Sequence, residues 1–213
     1  MITSIPSSIP FVSSHNDRMK KRSCIFLLVF AVLLIMHSAG CSEKSFASLQ
    51  PGLDKEGHYI DGVLFFKQED SSCGPAALAS VASYWGKRVS MDQVIAKVYL
   101  PQLRGTLPMD MESFLREQGL ETMSSAGTLD ALKDQIRNDM PVICLIDLGF
   151  SVYRRPHYVT VIGFDDVDAV IIAHDGVHAQ RVISYEQFLR EWDRAGNWML
   201  VAHPGTSQGQ GMQ

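Results

Sequence analysis

Two periodicities divide the chain near residue 140. Before it, apolar positions recur at helical spacing in four short segments; after it, they bunch into runs of five to eight residues that read as strands. Residues 76–85 predict a helix rich in small side chains and ended by Gly86. Ser90 with Gln93 three residues on forms a capping box that opens a helix over 91–99, stopped by Pro101. Residues 108–119 predict a third helix with a glycine C-cap, and 128–137 a fourth whose apolar face is Leu129, Leu132 and Ile136. The expected strands are 142–148, 157–164, 169–173 and 198–202, with a capped helix over 184–192 before the last. An extended segment over 57–66 leads into them. Helices first and then a mostly antiparallel sheet is an α+β arrangement.

The first forty residues follow another pattern. Residues 1–18 are polar, rich in Ser and Pro, and without helical period. Met19-Lys20-Lys21-Arg22 then reads as the basic start of a secretory signal, which makes Met19 the expected start of translation. The apolar run 24–36 is too short to span a bilayer comfortably, although an uncleaved anchor is the alternative. Ser38-Ala39-Gly40-Cys41 resembles a bacterial lipobox, with Ser38 where Leu is usual. The resemblance implies a diacylglyceryl group on Cys41, tethering by acyl chains rather than by a spanning helix, and, with Ser42 following, an outer-membrane lipoprotein facing the periplasm. Ordinary signal cleavage near Ala39 is the other reading. Residues 1–40 are thus expected to be a signal peptide, 41–58 a tether, 59–204 one folded domain and 205–213 a disordered tail.

Composition narrows the partners. A chain of 213 residues, 46% hydrophobic and 20% charged, has room for one domain with a proper core. The net charge of −4 hides an asymmetry: residues 1–40 hold four basic groups against one acidic, which leaves 41–213 at about −7. A mildly acidic domain argues against nucleic acid as a partner. Of four cysteines, Cys24 lies in the leader and Cys41 takes the lipid, so Cys73 and Cys144 remain. In an oxidising periplasm they have the option of one disulfide; within its apolar run, Cys144 is otherwise packing.

The chemistry centres on Gln68-Glu69-Asp70-Ser71-Ser72-Cys73-Gly74-Pro75-Ala76-Ala77-Leu78, which puts a thiol at a loop-to-helix junction. Glycine and proline suit a helix entry, and a helix N-terminus favours thiolate; the competing reading is a small buried hydrophobe. A cysteine nucleophile needs a base, a group that orients the base, and donors for the oxyanion. His157 opens a strand at the sheet rim. Asp175 follows after one turn and a second strand, a path that returns the chain to the level of His157, where a carboxylate fixes the imidazole. Gln68 and the Cys73 N–H are the expected oxyanion donors. Each has a plain alternative: a rim histidine, an Asp-Gly turn, a silent glutamine. His174, His178 and His203 show no metal-site spacing. Arg154 and Arg155, just before His157, are candidates to hold a substrate carboxylate, and solvated arginines otherwise. Selectivity is expected in the loops 100–108 and 149–156.

The order Gln, Cys, His, Asp is papain-like. Gln68 to Leu78, the run His157 to Asp165, His174-Asp175-Gly176 and the ending Phe188 to Pro204 together resemble the C39 and C39-like cysteine peptidases over about residues 60–204. The resemblance implies a papain-like fold with the nucleophile on the first helix. It also implies Cys73 as nucleophile, His157 as general base and acid, Asp175 as orienting residue and Gln68 as oxyanion donor, with no cofactor and no metal. Members fused to exporters cut after a double glycine; this chain is instead expected to carry its own export signal and to act without exporter domains, and Gly176 stands where Pro is frequent. The expected function is therefore an exported, lipid-anchored peptidase acting on a peptide or exported protein. The alternatives are a peptidoglycan amidase or acyl or peptidyl transferase with the same residues, and a peptide-binding lipoprotein that does not turn over.

Overall fold

A computed structural model describes residues 45–49, 56–69 and 71–205. The leader, the lipobox with Cys41, most of the tether and residues 206–213 lie outside the described residues. Among the described residues, the named elements of the domain are five helices and seven strands. The strands are β1 (Gly57–Tyr59), β2 (Leu120–Ala126), β3 (Val142–Asp147), β4 (Pro156–Asp165), β5 (Val170–His174), β6 (Arg181–Ser184) and β7 (Trp198–Pro204). The helices are α1 (Cys73–Tyr84), α2 (Met91–Val98), α3 (Pro108–Glu117), α4 (Leu129–Arg137) and α5 (Tyr185–Asp193).

The strands make one antiparallel sheet in the order β2-β7-β3-β4-β5-β6, with β1 added to β4. Its inner strands β3, β4 and β5 are buried almost throughout, as their continuous apolar runs require. The expected inner strands match. β2 and β6 were not expected, because both are edges: β2 alternates toward solvent and β6 is four residues long, so neither carries a dense apolar run.

Local chemistry explains the helix limits. Ser90 Oγ accepts from Gln93 N–H while Gln93 Oε1 accepts from Ser90 N–H, the reciprocal pair that the capping box predicts. Thr128 and Ser184 cap α4 and α5 in the same way, each accepting one amide. At the end of α1, Gly86 takes φ +74°, and two amides fold back on the helix, Gly86 N–H to Ser83 C=O and Lys87 N–H to Ala82 C=O. Only a residue tolerant of that backbone closes the helix this way.

Helices cover both faces of the sheet. Helices α1, α2 and α3 bury Leu78, Val81, Val94, Phe114 and Leu115 with Ile143, Tyr158 and Leu200. On the opposite face α4 and α5 bury Leu132, Ile136, Phe188 and Trp192 with Cys144, Val159 and Val201. Strand alternation therefore puts Cys144 on the α4/α5 side while Cys73 packs on the other, and both are free thiols. The disulfide option is closed by the sheet between them. Part of the segment read as a tether also packs on the domain: residues 46–49 form a helical turn, Leu49 is buried and the Phe46 ring meets Tyr59 at 4.7 Å.

Candidate active site

Cys73 is the first residue of α1. The preceding Ser72 does not cap the helix; its hydroxyl turns back to Glu69, donating to the carbonyl and accepting from the amide. The first helical bond is Ala76 N–H to Ser72 C=O, and Pro75 has no N–H, so the Cys73 and Gly74 amides remain at the thiol. Gly74 is needed for a different reason from the conformational one that the sequence suggests: a Cβ there would lie 2.8 Å from Thr106 Cβ. Close approach brings the 100–108 loop onto the start of α1.

The thiol opens into a cleft of about 770 Å³. Its walls come from Gln68, Ser71 and Cys73, from Leu103 to Pro108 and from Arg154 to Tyr158, so both loops expected to carry selectivity line it. Tyr158 ties the parts together. Its hydroxyl donates to Thr106 C=O at 3.1 Å, and its amide acts on the Cys73 sulfur. Burial pushes the Cys73 thiol above its ordinary value, and the Tyr158, Gly74 and Cys73 amides only partly offset this. The expectation of a thiolate at the helix start is reversed, because desolvation outweighs the amides and dipole.

His157 lies in the same cleft, largely buried at the start of β4. Its Nε2 is 2.8 Å from the main-chain carbonyl of Asp175. A carbonyl only accepts, so Nε2 carries the proton and Nδ1 is the unprotonated nitrogen of the neutral ring. Burial keeps the ring neutral by lowering its pKa; the Asp175 carbonyl and carboxylate oppose this, and Arg181 and Arg155 add to it. Among the described residues, no hydrogen bond joins His157 to the thiol.

The structure corrects the expected role of Asp175. Its carboxylate does not meet the imidazole; Oδ1 accepts the Val177 and His178 amides, and Oδ2 faces His178 Nδ1 and Arg181. Burial alone would raise this carboxyl, but those amides, His178 and Arg181 hold it below the usual range. The short Asp-Gly turn favours this Asx arrangement over a reach to the next strand. Gly176, at φ +77°, lets Gln68 close over the turn: a Cβ would stand 3.0 Å from Gln68 Oε1. Gln68 itself is pinned by its main-chain N–H to Gly176 C=O at 2.8 Å, and its side chain lines the cleft with Oε1 buried and without a hydrogen-bond partner among the described residues.

With this geometry in view, the comparisons with known proteins decide the family. The model described as "Peptidase_C39 like family" matches residues 60–199. The chain belongs to that family. The peptidase domain of Streptococcus ComA, a bi-functional ABC transporter of a quorum-sensing pathway, is 26% identical, with 65% of this chain and 96% of that one covered at a TM-score of 0.52. A double glycine motif protease from an AMS/PCAT transporter, solved with its leader peptide, is 22% identical over 69% and 94% at 0.56. A C39-like peptidase from Bacillus anthracis is 14% identical over 70% and 98% at 0.57; these last two likenesses show the fold alone. No curated protein matches the chain. A papain-like C39 peptidase fold, and a cysteine-peptidase type of function, follow from the family and the fold.

Other candidates separate cleanly. His174 is buried and satisfied, Nε2–H donating to Val63 C=O at 3.0 Å and Nδ1 accepting from Gln180 N–H at 3.1 Å. Residues missed by sequence reasoning are Tyr158, Thr106 and Asp147. Tyr158 had a signal, since it adjoins His157, but its link to Thr106 spans distant segments. Asp147 Oδ1 accepts the Gly149 and Arg155 amides and Oδ2 takes Arg154 at 2.9 Å, so it anchors the β3–β4 hairpin beside the cleft.

Proposed function

We propose that this C39-like chain is a cysteine peptidase in which Cys73 is the nucleophile and His157 the base and acid. The observation that carries the reading is one cleft lined by a helix-start thiol, a histidine with a fixed tautomer and Gln68. Substrate closes the remaining distance between Sγ and Nδ1, as catalytic hydrogen bonds often tighten only in the complex. His157 Nδ1 takes the thiol proton as sulfur attacks the scissile carbonyl carbon. The oxyanion lies against the Cys73 N–H and the Gln68 side-chain amide. Collapse of the tetrahedral centre breaks the C–N bond, and His157 gives its proton to the leaving amine. Water then attacks the thioester carbon with His157 again as base, releasing the acid and restoring the thiol.

Asp175 orients the ring through its carbonyl, while its carboxylate holds the turn and supports the imidazolium from a distance. The resting pair is thiol and neutral imidazole, because burial works against both charges. Export and anchoring rest on the sequence from Met19 to Cys41: an acylated Cys41 would hold the domain at the outer membrane, facing the periplasm, with an exported peptide or protein as substrate. The test is turnover of a peptide library by the wild type against Cys73→Ala and His157→Ala. Cleavage lost in both supports the reading, and cleavage retained by Cys73→Ala overturns it. Anchoring is tested by labelling cells with a radioactive fatty acid, which should mark the wild type and not Cys41→Ala.

A further inference from the structure

The cleft differs in charge from the domain around it. Residues 41–213 carry about −7, yet the cleft wall contains Arg104, Arg154 and Arg155 and, among the described residues that line it, no Asp or Glu. The three arginines are not equivalent. Arg154 is committed to Asp147 at 2.9 Å and to Arg194 C=O at 2.5 Å. Arg104 and Arg155 have no ion pair among the described residues. Arg155 is also held in place: its amide donates to Asp147 Oδ1 at 2.8 Å, and Leu148 N–H bonds its carbonyl at 3.0 Å. A fixed backbone thus presents an uncompensated guanidinium two residues before His157, near enough for its charge to act on that ring. The same wall carries Leu103 and Leu107, both exposed to solvent.

Resting on the peptidase reading of this cleft, we infer that it selects peptides carrying a carboxylate close to the scissile bond, received by Arg155 with Arg104 in support. A guanidinium meets a carboxylate through two parallel N–H donors, and a wall whose described residues include no acidic group leaves that charge to the substrate. The chemistry fits an acidic side chain within an apolar segment, or a free peptide C-terminus.

The test is calorimetric binding to the full chain carrying Cys73→Ala, so that no turnover intervenes. Three ten-residue peptides of otherwise identical Leu/Ala sequence are used: a central Glu with an amidated C-terminus, a central Gln with a free C-terminus, and a central Gln with an amidated C-terminus. One of the charged peptides should bind about tenfold tighter than the neutral one, the worth of a charge-assisted hydrogen bond. Which of the two does so identifies the source of the carboxylate. Arg155→Gln should bring the ratio to within about twofold. Arg104→Gln should lower it partly, and Arg190→Gln, on α5, should leave it unchanged. Equal binding of all three peptides, binding of none, or a ratio indifferent to Arg155→Gln overturns the inference. The peptidase reading is checked separately by alkylation of wild-type Cys73 with uncharged iodoacetamide, with and without His157→Ala. Selectivity can therefore fail while the reading of the site survives, or the reverse.

Discussion

Two buried histidines stand on neighbouring strands, and their hydrogen bonds distinguish them. His174 ends β5 with both ring nitrogens satisfied by main chain, one donating to Val63 and one accepting from Gln180. His157 opens β4 with Nε2 held by Asp175, while its Nδ1 has no hydrogen-bond partner among the described residues. Burial lowers both pKa values, so titration does not separate them. What separates them is a spare nitrogen in a cleft that also holds a thiol. The same holds for the two cysteines: Cys144 is sealed in the core, and burial pushes its thiol far up, whereas Cys73 reaches the cleft.

The largest expected contrast is between the cysteines. Cys73→Ala should abolish peptide turnover with the fold intact, whereas Cys144→Ala should keep the activity and cost roughly 1 kcal/mol in urea unfolding. Next come the histidines. His157→Ala should lower kcat/KM about a thousandfold with little change in Tm. His174→Ala should do the opposite, losing about 2 kcal/mol of stability from two broken buried hydrogen bonds while kcat stays within a few-fold. If His174→Ala proved as inactive as His157→Ala at equal stability, the distinction would be broken.

Asp175 sharpens it further. Were its carboxylate the orienting group, Asp175→Asn would cost about 10⁴ in kcat, as loss of an orienting carboxylate does elsewhere. With the main-chain carbonyl holding Nε2 and Asn able to keep the turn, the expected loss is only about tenfold. The smallest effect is on the hairpin. The Arg155 amide first, then the Gly149 amide and Arg154, hold the Asp147 carboxyl down at about 2, below its ordinary 3.8. A depressed value stabilises the fold above the ordinary pKa and is lost as pH falls toward 2. Asp147→Asn should thus cost about 2 kcal/mol at pH 7, measured by denaturant unfolding, and the deficit should shrink between about pH 4 and pH 2.

Much of this was legible in the residues, and the rest was lost for definable reasons. The capping box at Ser90, the inner strands and the approach of Cys73, His157 and Gln68 to one cleft all followed from local pattern and chain order. The edge strands β2 and β6 did not, because a strand with one wet face carries half the apolar signal. Helix placement on two faces depends on which side of the sheet each crossover takes, which spacing alone leaves undetermined. Asp175 shows a further limit. Sequence order brought the residue to His157, but whether its carbonyl or its carboxylate would face the ring depended on the turn's competing amides. Arg154 and Arg155 looked equivalent in sequence; Asp147, in the preceding strand, separates them.

The most direct test of the central claim is the pH profile of Cys73 alkylation by iodoacetamide, followed by mass spectrometry from pH 5 to 10 in the wild type and in His157→Ala. In the wild type the rate should rise as pH passes the lowered pKa of His157 and hold a plateau through neutrality, because the imidazole takes the thiol proton. It should rise again only where the burial-raised thiol itself ionises. His157→Ala should erase the first rise, leaving Cys73 at pH 7 at least about tenfold slower. A profile unchanged by the substitution would show that the two side chains share a cleft without sharing a proton, and would contradict the account.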